Sequence, residues 1–368
     1  MIHYGLKGVT AAETRISFID GAEGKLIYRG YDISEVSQRT FEEAAYLLWY
    51  GEWPDAEQLL MLKGKLQKGR ELPGHVASLL KNLPREMDLM SVLRTAVSAL
   101  GSGPPSIEEA IRLTAVVPVM IACRKAWMDN SVLPDSVNHL DHAEHFLYML
   151  FGSMPTGTQR RALETYMILT MEHGMNASAF SARVTASTLS DIHSAVTSAI
   201  STMKGPLHGG APSEVLSFLA EAAESSDIEE LIRQKVCRGE RLMGFGHRVY
   251  KTRDPRAEAL KAVLLSEAGD DDWMKLSLKV EEASVNILSE LKPGRALYTN
   301  VEFYAAAIMK SMNMKADLFT PVFTAARITG WTAHILEQEG NNILFRPDAQ
   351  YVGPWRVPNG HSSQEKKS

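Results

Sequence analysis

Cysteine is scarce in this sequence, and Cys123 and Cys237 are the only two among 368 residues. Their separation matches none of the short spacings that hold a structural metal, and two cysteines do not build a disulfide framework. Zinc-ribbon proteins and disulfide-rich secreted domains are therefore poor interpretations of this chain.

Long apolar runs and an excess of positive charge are missing as well. The longest apolar run, residues 113–123, contains Thr114 and Pro118 and is too short to cross a bilayer, so we interpret it as a buried helix. The first seven residues lack the apolar core of a signal peptide. With a net charge of −5, the chain has no overall basic field that would attract nucleic acid. We therefore expect a soluble, cytoplasmic protein with no membrane or nucleic-acid partner.

Helical signals dominate what is present. The hydrophobic fraction of 45% is normal for a globular protein, and the length is sufficient for two domains. A capping box begins at Thr40, and apolar residues recur at helical spacing over 192–203. Only residues 14–20 and 25–29 alternate clearly between apolar and polar, which predicts one β-hairpin. The predicted fold class is all-α and multi-helical, with two domains and one small N-terminal β-hairpin.

Two loop segments are candidate domain boundaries, one at residues 207–210 and one near Asn313. They would separate a smaller helical domain, 210–314, from a larger one formed by 1–209 and 315–368. An insertion flanked by glycine suits a hinge that closes over a substrate. The polar tail after Pro358 is expected to be disordered.

The most informative segment, residues 244–256, reads GFGHRVYKTRDPR. Two glycines bracket a phenylalanine, so the backbone can bend tightly and approach a ligand. His247 follows on irregular backbone, and an Asp-Pro pair then marks the start of a helix that begins with Arg256. A guanidinium group there can bind a carboxylate through two hydrogen bonds. The segment suits a small anionic substrate whose carbonyl group is to be polarised.

This segment resembles the signature of the citrate synthase family, a Gly-aromatic-Gly-His loop that ends in Asp-Pro-Arg. Three further stretches resemble the family in the same order, namely EHGMN at 172–176, GPLHGG at 205–210 and YTNVEFY at 298–304. Residues 16–33 and 319–337 are similar to the short bacterial and archaeal branch. The resemblance covers nearly the whole chain apart from the tail.

The resemblance implies an acyltransferase that deprotonates acetyl-CoA, adds the enol to oxaloacetate and hydrolyses the citryl thioester. A thioester α-proton is weakly acidic, so the base needs an electrophile that stabilises the enolate oxygen. By resemblance His208 is that electrophile, His247 polarises the ketone of oxaloacetate and Glu302 is the base. The resemblance implies no cofactor, because acetyl-CoA is a co-substrate.

The resemblance also assigns the ligands of the oxaloacetate carboxylates. Arg256, Arg327 and Arg346 match the family's arginine clamps, and His173 matches a further ligand beside His247. Arg346 is expected to reach the neighbouring subunit's site, which implies a homodimer.

Lys251 and Arg253 are candidates for binding the CoA phosphates. Solvated surface cations are an equal alternative for both.

One position departs from the family pattern. The family's base is an aspartate in Asn-Val-Asp, whereas residues 300–302 read Asn-Val-Glu. The extra methylene of Glu302 moves the carboxylate by about 1 to 1.5 Å, and a misplacement of about 1 Å can cost on the order of 100-fold in rate. We therefore expect either a compensating backbone or a slow enzyme.

Other functions stay open at this point. The same chemistry on propionyl-CoA would make a 2-methylcitrate synthase, because one methyl group is worth only about 1 to 3 kcal/mol of discrimination. A catalytically weakened relative could bind CoA and oxaloacetate as a sensor.

A metal-binding helical protein is a further alternative. His139, His142 and His145 recur every three residues, as ligands on one side of a helix would. We favour a polar helix face and predict no metal, since no cysteine or paired carboxylate cluster stands nearby.

Overall fold

The computed structural model describes residues 2–354, except 7, 210, 268–271 and 296. Within these residues the strands are β1 (Ser17–Asp20), β2 (Lys25–Tyr28) and β3 (Tyr31–Asp32). The helices are α1 (Ile33–Val36), α2 (Phe41–Tyr50), α3 (Ala56–Gly69), α4 (Gly74–Asn82), α5 (Leu89–Ala99), α6 (Ile107–Met128), α7 (His142–Phe151), α8 (Gly157–Thr170), α9 (Ala177–Ala186), α10 (Ile192–Met203), α11 (Ala211–Glu224), α12 (Ile228–Cys237), α13 (Pro255–Glu267), α14 (Asp272–Leu291), α15 (Val301–Ser311) and α16 (Phe319–Gly340). Short 3-10 turns occupy Tyr4–Leu6 and Ala316–Leu318.

The predicted hairpin is confirmed. Strands β1 and β2 pair antiparallel, with Ser17 opposite Tyr28 and Asp20 opposite Lys25. The short strand β3, which the sequence did not predict, pairs with β2. The sheet is anchored on the helices, because the buried Tyr28 hydroxyl donates to the Glu172 carbonyl at 2.7 Å.

Local end signals account for most helix boundaries. The capping box at Thr40 is formed, and Gly51 ends α2 in the left-handed conformation at φ 88°. Asn300 caps α15 as predicted, by accepting from the Glu302 backbone N–H. Helix α4 was not predicted, because it follows Pro73 without a capping side chain.

Helix α16 passes through the core and is buried along most of its length. It contacts α2, α5, α6, α8, α9 and α10. A Cβ atom added to Gly330 would lie 2.1 Å from the Met171 carbonyl oxygen, so glycine is required for the close approach of α16 to the end of α8. This approach places Arg327, Trp331 and His334, which share one side of α16 at spacings of four and three, beside the segment after α8.

The all-α fold class is confirmed, with the small sheet as its β element. Helices α11 to α15 contact one another, and α13 and α15 also contact α8. The division at residues 210 and 314 stays a prediction, and Gly210 itself and the tail after Pro358 lie outside the described residues. In the described part of the chain, no helix combines the length and the apolar character needed to span a membrane.

Candidate active site

The first loop of the site follows α8 and carries His173. Gly174 adopts φ +60°, a left-handed conformation that turns the chain back. The buried Glu172 holds this turn, because its Oε1 accepts from the Gly174 backbone N–H at 2.6 Å and from the Ser17 hydroxyl at 2.8 Å. Burial opposes ionisation of Glu172, but His334 and the hydrogen bonds around the carboxylate hold its pKa below the usual value.

The second loop presents His208, whose Nε2 lies 2.7 Å from Ser178 Oγ. Ser178 Oγ also accepts from the indole N–H of Trp331 at 3.0 Å and donates to Asn176 Oδ1 at 2.7 Å. Burial, followed by the charge of Arg327, lowers the pKa of His208 to about 4. The imidazole is therefore neutral at pH 7.

The third loop orients His247 through its backbone. His247 Nδ1 accepts from the backbone N–H groups of Val249 at 3.0 Å and Tyr250 at 3.1 Å. Burial, then the charge of Arg256, lowers the pKa of His247 to about 4. Since a neutral imidazole has one acceptor and one donor nitrogen, Nε2 carries the proton.

Arg256 opens α13 and is fixed by Asp254. Its Nε and Nη2 donate to the two carboxylate oxygens at 3.0 and 2.8 Å. Asp254 Oδ2 also accepts from the Val301 backbone N–H at 3.2 Å, so the same carboxylate joins this loop to the start of α15. Arg256 Nη2 lies 3.3 Å from His247 Nε2. Both groups are donors, so they can share an acceptor on a ligand.

Glu302 lies in the first turn of α15, and its Oε2 is buried with no hydrogen-bond partner among the described residues. Burial raises the pKa of Glu302, and the charge of Arg256 opposes this rise. Arg327 lowers the same pKa more weakly. A partly desolvated carboxylate with an open oxygen is a suitable proton acceptor.

The loops that carry His173 and His247 meet. The rings of His173 and His247 meet edge to face, with centroids 5.5 Å apart. The hydroxyl of Tyr250 lies 3.2 Å from His173 Nε2. The buried Arg327 donates from Nε to the Thr170 carbonyl at 2.5 Å. Its charge lowers the pKa values of His173, His208 and Glu302.

Three predicted site residues lie apart from this cluster or at its edge. Arg346 is exposed and lines a separate cavity of about 1510 Å³ together with Arg15 and Arg183. Lys251 is exposed at the edge of the cluster, where its charge lowers the pKa of His247. Arg253 is exposed and lies 3.4 Å from Glu258.

Sequence reasoning did not select Ser178, Tyr250 and His334 as functional residues. Ser178 contacts His208, Tyr250 contacts His173, and His334 contacts Glu172. For His334 the sequence did offer a signal. It lies seven residues after Arg327, a spacing that places both on one side of α16.

The three spaced histidines do not form a metal centre. His139 is exposed, the ring of His142 stacks on Phe41 with centroids 4.3 Å apart, and His145 Nε2 lies 3.0 Å from Ser136 Oγ. The described residues contain no group of three or more His, Cys, Asp or Glu arranged to hold a metal ion. The interpretation as a polar helix face is wrong for His142 and His145, which are buried in the core.

Comparison with known proteins decides the family. The sequence model described as "Citrate synthase, C-terminal domain" matches residues 5–348. The chain belongs to the citrate synthase family. The resemblance seen in the sequence is therefore confirmed, and so is the predicted enzyme class, a transferase of the citrate synthase type.

Both citrate synthases and 2-methylcitrate synthases are among the relatives of this chain. The chain is 41% identical to a citrate synthase of Haloferax volcanii over 95% of each sequence. It is 38% identical to a 2-methylcitrate synthase of Shewanella oneidensis, over 95% of this chain and 94% of the relative.

The solved structures agree with this assignment. A ternary complex of carboxymethyl coenzyme A and oxaloacetate with the citrate synthase of Thermoplasma acidophilum matches with a TM-score of 0.87 and 31% identity. That match covers 98% of this chain and 99% of the other.

Proposed function

We propose that this protein condenses acetyl-CoA with oxaloacetate and water to citrate and CoA. The observation that carries the proposal is the 3.3 Å approach of His247 Nε2 to Arg256 Nη2. Two N–H donors held this close suit neighbouring oxygens on one small molecule, such as the ketone and a carboxylate of a keto diacid. Both donors are fixed before the ligand arrives, which is the arrangement that electrostatic catalysis requires.

His208 is proposed to stabilise the enolate oxygen of the acyl-CoA. Asn176 Oδ1 already accepts from the backbone N–H groups of Ser178 and Ala179, each at 3.1 Å. For His208 to donate from Nδ1, the Ser178 hydroxyl turns its proton from Asn176 Oδ1 to His208 Nε2, which lies 2.7 Å away. A neutral N–H donor matches an enolate better than an imidazolium would, because it is not desolvated as a charge.

Glu302 is proposed to remove the α-proton. Its raised pKa brings the carboxylate closer to the basicity that proton abstraction near neutral pH needs. The charge of Arg256 opposes this rise and favours the ionised form.

The carboxylates of oxaloacetate are assigned to Arg256 and Arg327, with His173 as a further ligand. The negative charge of the ligand would offset the two buried guanidinium groups. Burial opposes the charge of both, while Asp254 and Glu302 favour the charge of Arg256 and Glu172 favours that of Arg327. Lys251 and Arg253 are assigned to the CoA phosphates, and their exposure in this loop supports the assignment.

A thiol-release assay with oxaloacetate and purified protein tests the function. We expect a higher kcat/KM for acetyl-CoA than for propionyl-CoA, and the reverse order would support the 2-methylcitrate synthase activity named for the Shewanella relative. Absence of thiol release with either acyl-CoA contradicts the proposal. Calorimetric binding of oxaloacetate without turnover would then favour a sensor.

We also propose a homodimer in which Arg346 acts in the partner's site. Arg346 lines a cavity whose lining includes neither His208 nor His247 of its own chain, which supports this role. Co-expression of Arg346→Gln with His208→Gln should recover activity that neither variant has alone, because one site of the mixed dimer is intact. Co-expression of His208→Gln with His247→Gln is the matched control and should stay inactive. Equal results in both mixtures contradict the trans role.

A further inference from the structure

The β1–β2 hairpin contacts the loop that carries His173. The Ser17 hydroxyl donates to Glu172 Oε1 at 2.8 Å, and the Tyr28 hydroxyl donates to the Glu172 carbonyl at 2.7 Å. Ile19 Cδ1 lies 3.1 Å from the position that a Cβ on Gly174 would take. One face of the hairpin therefore holds both the backbone and the side chain of the residue before His173.

The turn of the same hairpin contacts the loop that carries His247. The Gly21 carbonyl accepts from the Lys251 backbone N–H at 2.7 Å. A Cβ added to Gly21 would lie 2.3 Å from the Val249 carbonyl oxygen and 2.9 Å from its carbon. These are backbone atoms, so a methyl group there would force the two segments apart.

Gly21 is not required by its own backbone conformation. It is not among the glycines with positive φ, so alanine is compatible with the local turn. Gly24, in contrast, adopts φ +67°. The requirement for glycine at position 21 therefore comes from the docked loop.

The backbone of residues 249–251, which contacts Gly21, also fixes the orientation of His247. The backbone N–H groups of Val249 and Tyr250 donate to His247 Nδ1. A shift of Val249 would weaken these bonds and release the imidazole from the tautomer that presents Nε2–H.

We propose that the β1–β2 hairpin is a positioning element that sets the separation of His173 and His247, with Gly21 and Ser17 as its positioning residues. This inference rests on the proposed function, in which both imidazoles bind one oxaloacetate. It also joins two parts of the chain that the sequence assigns to different domains, because the hairpin precedes residue 209 and His247 lies within 210–314. Neither residue touches the substrate in this account.

Hydrogen exchange of the ligand-free protein tests the docking. In Gly21→Ala, the peptide covering residues 247–254 should exchange about five- to tenfold faster, because the Lys251 amide loses its acceptor. Gly74→Ala is the matched control, since a Cβ there meets nothing within 4 Å and its φ is not positive. It should leave the exchange of residues 247–254 unchanged.

Steady-state kinetics test the positioning role. For Gly21→Ala we expect the KM for oxaloacetate to rise about tenfold, while the KM for the acyl-CoA changes less than about twofold and the thermal midpoint stays near that of Gly74→Ala. Ser17→Ala should raise the oxaloacetate KM in the same direction through Glu172. If either the exchange rate or the oxaloacetate KM of Gly21→Ala equals that of Gly74→Ala, the inference is overturned. A wild-type protein without thiol release would refute the proposed function instead, and the exchange comparison would still decide whether Gly21 holds the loop.

Discussion

His334 Nε2 lies 3.1 Å from Glu172 Oε1, and both side chains are fully buried. Arg183 Nε donates to His334 Nδ1 at 2.9 Å, so the proton of a neutral His334 is on Nε2 and is donated to Glu172. The chain of contacts ends at the residue before His173. This buried network therefore stabilises the fold and also holds the loop that carries His173, a proposed oxaloacetate ligand.

We expect Glu172→Ala to be strongly destabilising. It leaves the buried His334 and the Gly174 backbone N–H without their acceptor. Each buried donor that loses its acceptor costs about 1 to 3 kcal/mol. Scanning calorimetry should show a lower thermal midpoint than for the wild type. Glu172→Gln keeps one acceptor oxygen and should lose less, so equal midpoints for the two variants would contradict this account.

Glu302→Gln should abolish condensation while oxaloacetate binding is retained. The amide keeps the size of the side chain but does not accept the α-proton. Thiol release and calorimetric titration with oxaloacetate measure the two properties separately. Full turnover in this variant would remove Glu302 from the mechanism.

Glu302→Asp should retain activity, because the carboxylate and the first-turn position on α15 are both kept. The same thiol-release assay measures it. A total loss of turnover would show instead that the backbone around α15 is adapted to the longer side chain.

Ser178→Ala should lower kcat by about 10- to 100-fold with little change in the oxaloacetate KM. The reason is that His208 Nε2 loses its 2.7 Å contact with the Ser178 hydroxyl, which orients the imidazole. Ser181→Ala, one turn further along α9, is a suitable control, since Ser181 Oγ contacts Ser198 rather than the site. An oxaloacetate KM effect without a kcat effect would place Ser178 in ligand binding.

Glu42 should make stability depend on pH. Burial, then the charge of Asp141, raises the pKa of Glu42 from 4.5 to about 7 in the folded state. Between these values the folded state binds more protons than the unfolded state, so stability falls as the pH rises from 4.5 to 7. The loss from this group is about 3 kcal/mol.

Glu42→Gln tests this dependence. Its side-chain oxygen can still accept from the His142 backbone N–H, which bonds to Glu42 at 2.8 Å. The variant should therefore be more stable than the wild type at pH 8 and similar to it at pH 5, as measured by thermal midpoints. A wild-type advantage at pH 8 would show that the nearby Lys63 and Arg70 outweigh the cost of burying the charge.

The resemblance and the short motifs predicted the candidate site residues, but they did not predict the residues that position them, such as Ser178 and His334. His173 contacts His247, Arg256 contacts His247, and the charge of Arg327 lowers the pKa values of His173, His208 and Glu302. Their catalytic and binding roles stay predictions, as do the contribution of Arg346, the two-domain division, the homodimer and the cytoplasmic location.

The sequence by itself determined the features that depend on neighbours a few residues apart. The capping box at Thr40, the cap at Asn300 and the hairpin pairing are of this kind, because each interaction closes within one turn of helix or one loop. Only the tertiary structure decided the rest. Ser17 and Glu172 are 155 positions apart and Glu172 and His334 are 162 apart. Packing α8, α16 and the hairpin together is what brings such groups into hydrogen-bond range, and no local pattern encodes that distance.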